Sequence, residues 1–174
     1  KILKSKHNKL LVSKRDINFA VNNMNSDHKK IFHIPNSVEK FSSNKIKQIA
    51  KEKIFSNSKK DKYKICFIGN MMAQHNNTAV LKMCDRKFLK KISLLECQIY
   101  VVGTITYEQE KIYLKNGLEF IKRPENLYKA LKDFNFGISV LNHCSGLQNK
   151  LYDYALLGLP IIASKDSAKG IGFK

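Results

Sequence analysis

Two textures of apolar residues run along the chain. From Tyr63 onward, short unbroken apolar runs alternate with stretches in which apolar residues recur every three or four positions. The runs are Lys64-Ile-Cys-Phe-Ile-Gly69, Gln98-Ile-Tyr-Val-Val-Gly103, Leu118-Glu-Phe-Ile-Lys122, Phe136-Gly-Ile-Ser-Val-Leu141 and Leu159-Pro-Ile-Ile-Ala163. Their length and their content of Ile, Val and Phe predict strands. Between them, Asn77–Ile92, Tyr107–Lys115, Glu125–Phe134 and Leu147–Leu157 have helical spacing. Strands that alternate with helices of this length predict an α/β fold, a doubly wound parallel sheet of right-handed βαβ units. Runs without polar alternation fit strands covered on both faces. Ligands of such sheets bind beyond the carboxyl ends of the strands. Here those ends are Gly69-Asn70, Gly103-Thr104, Lys122-Arg123 and Leu141–Gly146.

Residues 1–62 read differently, being polar and rich in Lys, Asn and Ser. Lys9-Leu-Leu-Val-Ser13 and Ile31-Phe-His-Ile-Pro35 predict short strands, with a helix over Asp16–Met24 between them. Val38–Phe55 has a helical period interrupted at Ser42-Ser43-Asn44, and Ser56–Lys62 reads as a linker. The chain thus divides into first elements over 1–62 and a regular α/β domain over 63–174.

Composition adds two constraints. An apolar content of 43% over 174 residues excludes global disorder and suffices for a core. No apolar run approaches the length of a membrane-spanning helix, and no signal-peptide pattern opens the chain. The formal net charge is +18, with a pI near 9.8. That excess suits a polyanionic partner or an anionic membrane surface. The cations are lysines apart from Arg15, Arg86 and Arg123, which argues against a base-reading nucleic-acid site. Cys66, Cys84, Cys97 and Cys144 are scattered, without C-x-x-C pairs or zinc spacing, as expected of reduced intracellular thiols.

The stretch richest in chemistry is Ser145-Gly-Leu-Gln-Asn-Lys-Leu-Tyr-Asp-Tyr-Ala-Leu-Leu-Gly-Leu-Pro160. Ser145 suits an N-cap, and Gln148 three residues on completes a capping box. Gly146 permits close approach to the backbone. The start of this helix could receive a phosphate, with Lys150 adding charge one turn in. The Asp153 carboxylate could accept hydrogen bonds from sugar hydroxyls. The plainer alternative is a well-capped helix packing Leu147, Leu151, Ala155 and Leu156 on the sheet. Tyr152 and Tyr154 read as helix-edge packing. His75 and His143, near the strand ends, are further candidate contacts.

This stretch resembles the donor-binding motif of retaining GT-B glycosyltransferases of the glycosyltransferase 1/4 group. The closest pattern is a subgroup that reads G-x-Q-N-K-V-L-E-A-M-A-x-G-x-P-V-V. Further matches follow in register. Phe67-Ile-Gly-Asn-Met71 with Asn76-Asn77 resembles the subgroup's F-x-G-x-M…P-N opening, and Ile99-Tyr-Val-Val-Gly103 its I-V-G strand. Ala168-Lys-Gly-Ile171 resembles its A-x-G-I/L element. Val12-Ser13 and Ile34-Pro-Asn-Ser-Val38 resemble the passage between the two domains of the family.

The resemblance implies that residues 63–174 are a Rossmann-like nucleotide-sugar-binding domain, truncated at its C-terminal end, and that 1–62 hold the interdomain passage and first elements of that domain. It implies a nucleoside diphosphate sugar as substrate, with no cofactor and no metal. Asp153 would hold the donor ribose. Leu147, Gln148 and Asn149 would offer backbone N–H groups to the pyrophosphate. Ser145 stands where many members carry Glu. Gly69-Asn70 would border the phosphates where relatives place Arg and Lys, leaving more of the charge to Lys150. Lys122 and Arg123 would lie beside the nucleobase. The acceptor-binding N-terminal domain would be the missing partner, and the chain alone would be inactive. Family analogy puts the parent enzyme in surface polysaccharide assembly, cytoplasmic and peripheral on the inner membrane face. The rival readings are a non-catalytic basic module for membrane or nucleic acid, and a nucleotide-sugar epimerase of the same fold.

Overall fold

The computed structural model describes residues 7–24, 26–34, 42–44, 47–49, 51, 62–142 and 148–169. Five strands form one parallel sheet: β3 (Tyr63–Asn70), β4 (Cys97–Thr104), β5 (Glu119–Lys122), β6 (Phe136–Ser139) and β7 (Ile161–Ala163). Their order is β5-β4-β3-β6-β7, so the chain winds outward from β3 in one direction and then returns to start in the other. All five predicted runs are strands, and the doubly wound α/β architecture is as expected. Near the start of the chain, β1 (Lys9–Leu11) and β2 (Ile31–His33) form a separate two-stranded parallel sheet, joined through helix α1 (Lys14–Met24).

Alternate strand residues feed two cores. Ile65, Phe67, Ile99 and Val101 point to the face covered by helices α2 (Gln74–Met83), α3 (Arg86–Leu94) and α4 (Tyr107–Lys115). Cys66 and Val102 point to the other, covered by α5 (Leu127–Leu131) and α6 (Asn149–Leu156). Burying a side chain of this size is worth about 1.5–3 kcal/mol. A last short helix, α7 (Lys165–Lys169), follows β7. It is tied down by Ser167, whose hydroxyl accepts from the Leu141 N–H and lies 3.2 Å from the Ser139 hydroxyl.

Three expectations need correction. The helix expected over Asn77–Ile92 is two helices, because the Asp85 carboxylate accepts from the Phe88 N–H at 3.0 Å and starts α3. Such a cap is worth about 1 kcal/mol, enough to end one helix and begin another where the apolar period alone runs on. The helix expected over Glu125–Phe134 is limited to Leu127–Leu131, started by Asn126 accepting from the Lys129 N–H. Ser43 and Asn44, read as an interruption, are helical; most of Val38–Phe55 and of the linker lies outside the described residues. Among the described residues Cys66, Cys84 and Cys97 form no disulfide, and Cys144 lies outside the described residues.

Candidate functional site

Strands β3 and β4 pair along their whole length, from Tyr63 with Cys97 to Asn70 with Thr104. Strands β3 and β6 pair only at Ile65–Phe136 and Cys66–Gly137. Beyond that point they separate, and this is where the strand order reverses, the place at which open α/β sheets form a ligand crevice. The gap is spanned by Tyr154 of α6, which is fully buried. Its hydroxyl accepts from the Ile68 N–H at 2.9 Å. The Cys66 and Ile138 carbonyls lie 3.1 and 2.9 Å away, and either can take its single proton. One phenol therefore satisfies backbone groups that the ladder has abandoned. Tyr154 is not a helix-edge residue, as its spacing suggested. Gly137 makes room for it, since a Cβ there would stand 2.3 Å from the ring.

At the mouth of this gap, Gly69 and Asn70 end β3. The Asn70 carboxamide oxygen accepts from the Met72 N–H at 3.0 Å and shapes the turn into α2. The Asn70 carbonyl accepts from the Asn76 side chain at 3.0 Å. Asn76 in turn accepts from the Lys150 ammonium at 2.8 Å. That ammonium also sits 3.9 Å from the centre of the Phe67 ring, a favourable cation–π placement. Lys150 and Asn76 are both buried. The structure thus gathers Gly69, Asn70 and Lys150 in one network, with Asn76 as its centre. Asn76 was quoted only as part of a motif; its signal is a polar residue in phase with Ala79, Val80 and Met83 on the inner side of α2.

The start of α6 differs from the expected capping box. The first helical residue is Asn149, and Gln148 occupies the N-cap position without a side-chain cap bond. Ser145 therefore stands three residues ahead of the cap. Ser145, Gly146, Leu147 and His143 lie outside the described residues. Gln148 is buried, and its carbonyl accepts from the Leu151 N–H.

Asp153 lies on α6, half-buried. Its carboxylate makes no hydrogen bond or ion pair among the described residues, and burial raises its pKa. The direction is notable in a chain of net charge +18. A carboxyl whose folded pKa is raised binds its proton more tightly folded than unfolded, so stability is lost as pH rises through the carboxylate range. Asp153→Asn is therefore expected to raise the melting temperature at neutral pH. The gain should vanish on acidification below the ordinary aspartate pKa. A variant that melts below the parent at neutral pH would contradict this.

Lys122 and Arg123 stand one strand further out. Lys122 pairs with Glu110 of α4 at 2.5 Å. Arg123 has a left-handed backbone, φ 30°, and its Nε donates to the Thr104 hydroxyl at 2.9 Å. Lys122 thus ties the end of β5 to α4 and Arg123 ties the turn after β5 to the end of β4, and among the described residues neither joins the Lys150 network. His75 is exposed on α2 and lines a shallow groove of about 300 Å³ with Gln74, Thr78, Lys82, Val140 and Asn142. Among the described residues, no three His, Cys, Asp or Glu side chains gather as a metal site, and no helix is long and apolar enough to cross a membrane.

A doubly wound sheet with its crevice between the diverging β3 and β6 is the fold of the Rossmann-like domains of GT-B glycosyltransferases. The solved structures it matches include a glycosyltransferase from Rickettsia africae (TM-score 0.64, 12% identity, covering 91% of this chain and 44% of that one). WaaG, a glycosyltransferase of lipopolysaccharide biosynthesis, matches with TM-score 0.60 and 9% identity, over 90% of this chain and 44% of that one. HepE from Anabaena, solved with UDP and glucose, matches with TM-score 0.55 and 13% identity over the same shares. The chain spans less than half the length of each. No protein-family model and no curated protein matches the chain.

Proposed function

We propose that the chain is the nucleotide-sugar-binding half of a retaining GT-B glycosyltransferase of the G-x-Q-N-K subgroup. Its parent enzyme transfers a sugar from a nucleoside diphosphate to a glycan or lipid-linked acceptor, in surface polysaccharide synthesis on the cytoplasmic side of a membrane. The observation that carries this reading is the position of α6. Its amino-terminal residues Gln148 and Asn149 follow the end of β6 at the strand-order reversal, with Lys150 held at the same crevice and, one turn on, an Asp153 without a partner among the described residues. A structural neighbour solved with UDP-glucose supports it.

In this reading, the amino end of α6 and the Lys150 charge offset the donor diphosphate, as preorganised dipoles and cations do for a leaving group. Asp153 accepts hydrogen bonds from ribose hydroxyls, which recovers the solvation its burial has cost. Ser145, Gly146 and Leu147 belong to the same donor-binding motif, Gly69 and Asn70 border the phosphates, and Lys122 and Arg123 flank the base. Acceptor binding belongs to an N-terminal domain of the same parent protein, and the donor-binding half alone turns over no donor. The small β1–β2 sheet supports that assignment. It leaves Leu10 and Phe32, paired in register, 66% and 48% exposed, although parallel strands are ordinarily covered on both faces.

The test is a panel of UDP, GDP, ADP, CMP and TDP followed by amide shifts. Shifts at Gln148 and Asn149 that depend on the base are expected, with affinity falling about tenfold or more in Asp153→Ala, the loss of a hydrogen bond to a charged group. An equal response to every polyanion, lost with salt and indifferent to Asp153, would sink the reading in favour of a basic binding module.

A further inference from the structure

Helix α3 carries a surface that the crevice does not use. Phe88, Leu89 and Ile92 turn inward against the core. The opposite side holds Arg86, Lys87, Lys90 and Lys91, all exposed and none in an ion pair among the described residues. The helix ends on Leu94, which at 74% is the most exposed large apolar side chain among the described residues, and its C-cap Leu95 is 66% exposed. By helical spacing Leu94 lies on the line of Arg86, Lys87, Lys90 and Lys91, four and three residues from the last two. The acids closest in sequence are Asp85, occupied as the N-cap, and Glu96, just past the leucines.

We propose that this face docks on an anionic lipid surface. Four cations without an acid among them attract negative headgroups. Leu94 at the end of this face, with the exposed Leu95 beside it at the helix terminus, finds apolar surroundings among acyl chains. A nucleic acid or an acidic protein segment would answer the charge and leave the leucines in water. The leucines precede the first residue of β4, at the end of the sheet away from the crevice, so docking leaves the crevice open. The inference does not depend on what the crevice binds.

The chain contains no tryptophan, so Leu94→Trp places a single reporter on the surface. The full 174-residue chain is mixed with vesicles of phosphatidylcholine alone, or of phosphatidylcholine and phosphatidylglycerol in equal amounts. Binding to the anionic vesicles alone is expected, with a blue shift of the tryptophan emission. Lys90→Gln with Lys91→Gln should weaken partitioning about fivefold per lysine. Leu94→Ser with Leu95→Ser should weaken it about tenfold or more. Lys129→Gln with Lys132→Gln, exposed on the opposite face of the sheet, should change it little. The proposal falls if partitioning ignores phosphatidylglycerol, if the reporter emission stays fixed while the protein sediments with vesicles, or if the opposite-face pair weakens binding equally. Tight binding to duplex DNA that survives the serine pair, with vesicles ignored, would overturn it in favour of a polyanion face.

Discussion

Gly103→Ala is expected to cost roughly 4 kcal/mol or more, at the extreme of single substitutions. Two independent reasons act at the same atom. The backbone there has φ +138°, a region that L side chains rarely adopt. An added Cβ would also stand 2.0 Å from the Gly69 carbonyl oxygen on the neighbouring strand. Gly69 and Gly103 are partners in register, so the new methyl meets backbone, with no flexible side chain on the other strand to yield. For a domain of this size that loss corresponds to roughly 8–16 °C in melting temperature. Gly117→Ala is the control. Its φ is +78°, but an added Cβ meets nothing within 4 Å, so about 1 kcal/mol is expected. Thermal melts of the two variants separate strain from collision. Equal losses would show that β3 and β4 can part at Gly69 without cost.

Tyr154→Phe is the second large effect. The ring keeps its volume and its packing, and only the hydroxyl is lost. That hydroxyl is the acceptor for the Ile68 N–H and a neighbour of the Cys66 and Ile138 carbonyls, in a place without water access. An unsatisfied buried donor and the lost donation to a carbonyl together cost about 2–4 kcal/mol. Denaturant unfolding should show the midpoint falling with the slope unchanged. Hydrogen exchange at Ile68 should rise beyond what the global loss explains. A variant as stable as the parent would mean that β3 and β6 close their own ladder once the phenol is gone.

The strands were legible because the five apolar runs have the length and composition that only a covered sheet accommodates. The strand ends were legible for the same reason, since they follow from the alternation of elements, but the strand order that places the gap between β3 and β6 was not. Nor was the interior of the crevice. Lys150 read as a charge one turn into a helix, and its burial against Phe67 depends on a residue far away in the chain. Asn76 and Lys150 are 74 positions apart, a distance that no local period encodes. Tyr154 looked like edge packing because nothing in its neighbourhood announces that two strands will separate beside it. At Asp85 and Gln148 the local signals themselves competed. A carboxylate cap split a continuous apolar period in the first case, and in the second the helix began after the residue that best resembled a cap.

On the proposed function, the Lys150 side chain has a consequence for the speed and cost of capturing an anion. A free lysine carries close to 2 kcal/mol of rotamer entropy. A surface lysine loses much of that when it closes on a ligand. Here the ammonium already lies over an aromatic ring and is pinned by a carboxamide, so folding has absorbed the ordering in advance. An anion entering the crevice meets a charge that has no search left to make.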